Sequence, residues 1–178
     1  MPVLPSIARR VARLLGLAML AILAGCAGDR DPPSDPSFYR SLAAGGELDA
    51  AAAASMISGY RSNNGLTAVT LDPELMKLAE AQARAMAERD KLDHSVIRDF
   101  GERLRSSGYD ARVGVENIGA GYHTLAEAFS GWRDSPPHRK NMLLPGATHM
   151  GIAAVRSPRS KYKVFWALIL AAPDRKRG

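Results

Sequence analysis

Cysteine is almost absent from this chain: Cys26 is the only one in 178 residues. No intrachain disulfide can form, whatever the redox state of the compartment, so the fold must be held by packing alone. Aromatic residues are few, at 6%, and no basic stretch is interleaved with them, which sets nucleic-acid binding aside. A strong net charge is missing too. The formal +6 includes Arg9, Arg10 and Arg13, and without them 21 basic residues (24 less 3) face 18 acidic ones. Arg175, Lys176 and Arg177 gather at the end, so residues 174–178 read as a short basic tail on a near-balanced domain. The N-terminal apolar run, Leu14 to Ala24, is too short to span a bilayer, which takes about 20 residues. There is no Gly-x-Ser-x-Gly nucleophile elbow, and Gly119-Ala120-Gly121 lacks the strand–turn–helix setting of a dinucleotide fingerprint.

What is present begins with an address. Arginines, a short apolar run and then Leu23-Ala24-Gly25-Cys26 follow the pattern of a secretory signal. Leu-Ala-Gly-Cys resembles the bacterial lipobox, which implies that residues 1–25 are removed and that Cys26 carries the lipid. Residues 26–46, rich at first in Pro, Asp and Ser, are expected to form an exposed tether. The globular domain is expected over residues 47–173.

Within it, Asp49 is a candidate N-cap for an alanine-rich helix to Ser62, with Leu48, Ala52, Met56 and Tyr60 on one face. Asn63-Asn64-Gly65 supplies the left-handed stop. Asp72-Pro73 starts a second helix, with Leu75, Leu78, Ala79 and Met86 as its apolar stripe. A short helix is expected from about Arg98 to Ser106, then a β-like run from Val113 to Ile118 with Glu116 near its far end and Asn117 fixing the turn. Thr124-Leu125-Ala126-Glu127 fits a capping box. Ser135 is expected to cap the next helix, with Pro136 and Pro137 in its first turn. Met150 to Val155 and Tyr162 to Leu170, joined by a Ser-Pro turn, predict an antiparallel pair. Helices followed by paired strands make an α+β domain.

His138 is the most constrained of the four histidines, because the helix N-terminus disfavours a positive imidazole there. A neutral imidazole suits a metal site or a general base, while an exposed histidine at a helix start is the plain alternative. His94, Glu116 and His138 together would make a two-histidine, one-carboxylate set of the kind that holds zinc. Their spacing matches no compact metal motif.

In order, Tyr60-Arg61, Leu71-Asp72, Leu92-Asp93-His94-Ser95, Glu116-Asn117-Ile118, Trp132…Ser135-Pro136-Pro137-His138…Asn141 and His149-Met150-Gly151-Ile152 resemble the CAP superfamily, in its bacterial SCP-domain branch. The resemblance covers roughly Ala50 to Ala172. It implies a three-layer α-β-α sandwich with a small central antiparallel sheet and a cleft lined by two histidines and two acids. His94, Glu116 and His138 match three of those groups, with Asn141 nearby. Ser135 stands where the second acid would be, which lowers any expected metal affinity. Members of the family have been associated with sterol or fatty-acid binding, metal-dependent hydrolysis and protein interaction. The leading expectation is an exported, lipid-anchored envelope protein whose cleft binds a lipid, peptide or cell-wall ligand without turnover. The alternatives are a zinc-dependent hydrolase using His94, Glu116 and His138, and a protein-interaction module in which the histidines only brace loops.

Overall fold

A computed structural model describes residues 36–174. The expected signal segment, Cys26, the first part of the tether and residues 175–178 lie outside the described residues. The elements are α1 (Ala50–Ser62), β1 (Thr70–Leu71), α2 (Pro73–Arg89), α3 (Phe100–Arg105), β2 (Ala111–Ala120), α4 (Leu125–Asp134), α5 (Pro136–Met142), β3 (His149–Ser157) and β4 (Lys163–Pro173). One sheet has the order β1-β3-β4-β2. β4 pairs antiparallel with both β2 and β3, and the two-residue β1 adds a parallel edge to β3 at His149 and Met150.

β4 explains the layering. Its residues Val164 through Ala172 are all buried, because successive side chains point to opposite faces and both faces are covered. Val164, Trp166, Leu168 and Leu170 enter a core shared with α1, α4 and α5. Phe165, Ala167, Ile169 and Ala171 enter a second core shared with α2 and α3. The result is the expected three-layer α-β-α sandwich around an antiparallel core.

Local chemistry sets the helix ends. Asp49 accepts from the Ala52 amide, and Asp72 accepts from those of Glu74 and Leu75. The Thr124–Glu127 capping box is complete. Ser135 occupies the N-cap of α5, yet its side chain makes no capping hydrogen bond. That corrects the expected role: the two prolines lack N–H groups, so α5 has fewer amides to cap.

On α1 the fully buried line is Ala53, Ile57 and Arg61, one residue on from the expected face. Arg61 is fully buried. Its guanidinium donates to the carbonyls of Thr67, Met142, Leu144 and Ala147 at 2.9–3.0 Å. This clamp ties α1 to the loop after α5. Hydrogen bonds to four carbonyls replace the water that a buried cation loses.

Gly151 positions α2. A Cβ there would stand 2.1 Å from the Leu75 carbonyl oxygen, so the helix backbone lies directly on β3. Part of the expected tether is also folded. Leu42 is 4% exposed and its amide donates to the His123 carbonyl, while Arg156 Nε donates to the Ala43 carbonyl. The apolar residues Phe38, Leu42 and Ala43 of that segment pack against the first core.

The outer edge of β2 is partly sealed. The Gly121 amide donates to the Val164 carbonyl, and the register continues from there through Gly119, Asn117 and Val115 opposite Trp166, Leu168 and Leu170. These odd-numbered residues turn their backbone groups toward β4, so Gly114, Glu116 and Ile118 point theirs outward. Asn141 Nδ2 donates to the Glu116 carbonyl, and Trp132 Nε1 to that of Ile118.

Candidate functional site

Glu116 lies in the body of β2 and not at its end, because the strand runs on through Gly119 and Ala120. Its side chain is 1% exposed. Both oxygens accept from Arg103 Nη2, at 3.0 and 2.9 Å, and Arg103 is itself buried. An ion pair desolvated on both sides persists only with good geometry and further hydrogen bonds. Arg103 supplies most of these by donating through Nε to the Arg98 carbonyl and through Nη2 to the His94 carbonyl, while Nη1 is buried without a partner among the described residues.

His94 reaches the same carboxylate: Nδ1 stands 2.8 Å from Glu116 Oε1. A carboxylate facing a guanidinium accepts only, so Nδ1 is the protonated nitrogen and neutral His94 keeps its lone pair on Nε2. The side chain is 49% exposed, which leaves the imidazole open to solvent while its loop is fixed. Gln82 Nε2 donates to the Asp93 carbonyl, and Asp93 Oδ1 accepts from the Ser95 amide.

His138 comes to the same stretch of β2 through α5. Asn117 Nδ2 donates to the His138 carbonyl at 3.0 Å, and Asn141 Nδ2 donates to Asn117 Oδ1 at 2.9 Å. Asn117 thus fastens a helix to the strand, where a turn-fixing role was expected. Burial, with a smaller contribution from the charge of His94, holds the half-buried His138 imidazole below its ordinary pKa. Near neutral pH one open imidazole, bonded to Glu116, and one kept neutral, on the helix fastened to Asn117, lie within electrostatic reach of each other.

His149 belongs elsewhere. Its Nδ1 stands 2.7 Å from the Tyr109 hydroxyl, whose pKa burial and then Asp72 push up to about 12. Ser135 is half-buried at the start of α5. Among the described residues no three His, Cys, Asp or Glu side chains are grouped to hold a metal ion. A fixed cation already sits on both oxygens of the only acid in the cluster, so the residues present do not fit a two-histidine, one-carboxylate metal site.

Arg103 is the residue that sequence reasoning missed. The signal for Arg103 was its position: Phe100, Arg103 and Leu104 follow the i, i+3, i+4 spacing of a buried face.

A sandwich that covers both faces of an antiparallel sheet, and sets two histidines beside a buried acid on one strand, defines an SCP-type domain. Comparisons agree: residues 54–170 match the model of the cysteine-rich secretory protein (CAP) family, and the chain belongs to that family. It is 33% identical over 105 residues to the Bacillus subtilis (strain 168) protein YkwD, itself uncharacterized, covering 57% of this chain and 40% of that one. The chain therefore spans well under half the length of that relative. An extracellular SCP-domain protein of Bacillus anthracis str. Ames superposes with a TM-score of 0.60 at 22% identity, covering 68% of this chain and 39% of that one. An outer surface protein of Borrelia burgdorferi gives 0.64 at 16% identity, covering 71% and 93%. At these identities the structural likeness establishes the fold alone.

Proposed function

We propose that this chain is an exported, lipid-anchored envelope protein whose SCP domain binds a ligand at His94 and His138 without turning it over. The observation that carries this reading is the Glu116–Arg103 pair. A carboxylate held by a buried guanidinium and an imidazole is a poor general base, and it brings no free charge to a metal. What remains open is recognition chemistry: His94 Nε2, the neutral His138 ring and the half-buried Ser135 at the start of the same helix. Lipid, peptide and cell-wall headgroups all carry the hydroxyl, amide and phosphate groups that such imidazoles bond.

Export is supported by the signal-like first 25 residues and by relatives described as extracellular or outer-surface proteins. Anchoring rests on Leu23-Ala24-Gly25-Cys26 alone.

The test is histidine ring NMR during titration with phospholipid micelles, short peptides and soluble cell-wall fragments. Selective shifts at His94 and His138 for one class, lost in His94→Ala and His138→Ala while folding persists, are expected. Turnover of an ester or peptide substrate that disappears in Glu116→Gln would overturn the reading.

A further inference from the structure

The seal on the β2 edge stops halfway. Asn141 and Trp132 cover the carbonyls of Glu116 and Ile118, but Gly114, which shares their outward orientation, has no such cover among the described residues. Beside it a groove of about 500 Å³ runs between α3 and residues Ala111 to Gly114. Its helical wall carries Gly101 and Leu104, and its strand wall carries Gly114, so two of its surfaces are bare backbone. Gly114 has an internal reason to be glycine, since a Cβ there would stand 2.5 Å from Leu104 Cδ2. The same lack of a side chain leaves its N–H and C=O approachable from outside.

The charges at the groove are unequal. Arg105 and Arg112 are both exposed and line it, against one acid, Asp110. Neither arginine is in an ion pair among the described residues, and the Arg112 guanidinium lies beside Gly146.

We propose that this groove is a second interaction surface, separate from the histidine site, that takes an extended acidic peptide segment as an added strand on β2. Strand addition draws affinity from main-chain hydrogen bonds and specificity from alternate side chains. Gly114 supplies the main-chain pair, the α3 wall receives apolar side chains, and Arg105 and Arg112 select carboxylates. A second copy of this chain is disfavoured as the occupant because it would bring the same two arginines to the contact. The irregular register between Ala111 and Val113 limits the pairing to a few residues and guards the edge against open-ended association.

The probe is a blocked hexapeptide alternating valine and glutamate, compared with its lysine counterpart, added to the purified chain. Amide hydrogen exchange and heteronuclear NMR are the readouts. The valine–glutamate peptide should slow exchange at Gly114 and shift α3 resonances, and the lysine peptide should do neither. Combined Arg105→Glu and Arg112→Glu substitutions, both at exposed positions, should weaken binding at least about tenfold, or about 1.4 kcal/mol. His138→Ala should leave it unchanged, which separates this surface from the histidine site. Equal binding of both peptides, or binding that leaves Gly114 exchange unaltered, would overturn the proposal. So would self-association through this edge in sedimentation, or no binding at millimolar peptide.

Discussion

Removing Arg103 should be among the most costly single changes in the domain. Arg103→Met retains a long apolar stem and deletes the guanidinium, leaving the Glu116 carboxylate, with its side chain 1% exposed, bonded to His94 alone. Breaking a buried pair from one side costs about 3–5 kcal/mol, because a desolvated charge is left uncompensated. A domain of this size has about 5–15 kcal/mol in total, so the loss is a large fraction of it. The melting temperature should fall by roughly 10–20 °C. Glu116→Leu should cost about as much by orphaning the guanidinium. The double variant is the discriminating one. With both charges gone, the apolar pair should regain about 2 kcal/mol relative to the sum of the singles. Some loss remains because the carbonyls of His94 and Arg98 also lose their donor. Urea unfolding followed by far-UV circular dichroism measures all three. Single variants costing under about 1 kcal/mol, or a double variant equal to the sum, would refute the reasoning that this pair is a buried, mutually dependent unit.

Gly151→Ala should destabilise the domain by about 3 kcal/mol, since the clash is with helix backbone that cannot swing away; thermal melts of the variant check it. His138 gives the stability a pH dependence of known sign. Its folded pKa lies below the unfolded value of 6.5, so the folded state binds fewer protons, and stability is full above about 6.5 and falls as pH drops through the folded pKa. His138→Gln should flatten that acid limb in urea midpoints measured from pH 7 to pH 5. Cys26→Ser should abolish incorporation of labelled palmitate in a bacterial host and release the chain from the membrane fraction, whereas unchanged labelling would remove the anchor from the account.

The elements were legible because their signals are local. Asp49, Asp72 and Thr124 cap helices through atoms two or three residues away, and the apolar run of β4 announces a strand covered on both faces. The place of Glu116 within its strand was not legible, because the β-like run stops at Ile118 in the sequence, while pairing with Trp166 and Phe165 carries the strand on through Gly119 and Ala120. The site was half legible. His94 meets Glu116 directly and the His138 carbonyl meets the neighbouring Asn117, but the state of the acid depends on Arg103, thirteen residues upstream of it on a separate helix. A charged residue at a buried helical position reads as solvated until its partner is known. Arg61 hid for the same reason: its four carbonyl acceptors lie as far as 86 residues away. Tertiary partners of buried charges leave no periodic trace.

Zinc titration by calorimetry, with the Glu116→Gln and Arg103→Met variants alongside, tests most directly whether Glu116 is committed to Arg103. The unaltered chain should show no stoichiometric uptake at micromolar zinc, and Glu116→Gln should not change this. Uptake can appear only in Arg103→Met, where the carboxylate has been freed. One zinc bound per unaltered chain, lost in Glu116→Gln and in His94→Ala, would contradict it.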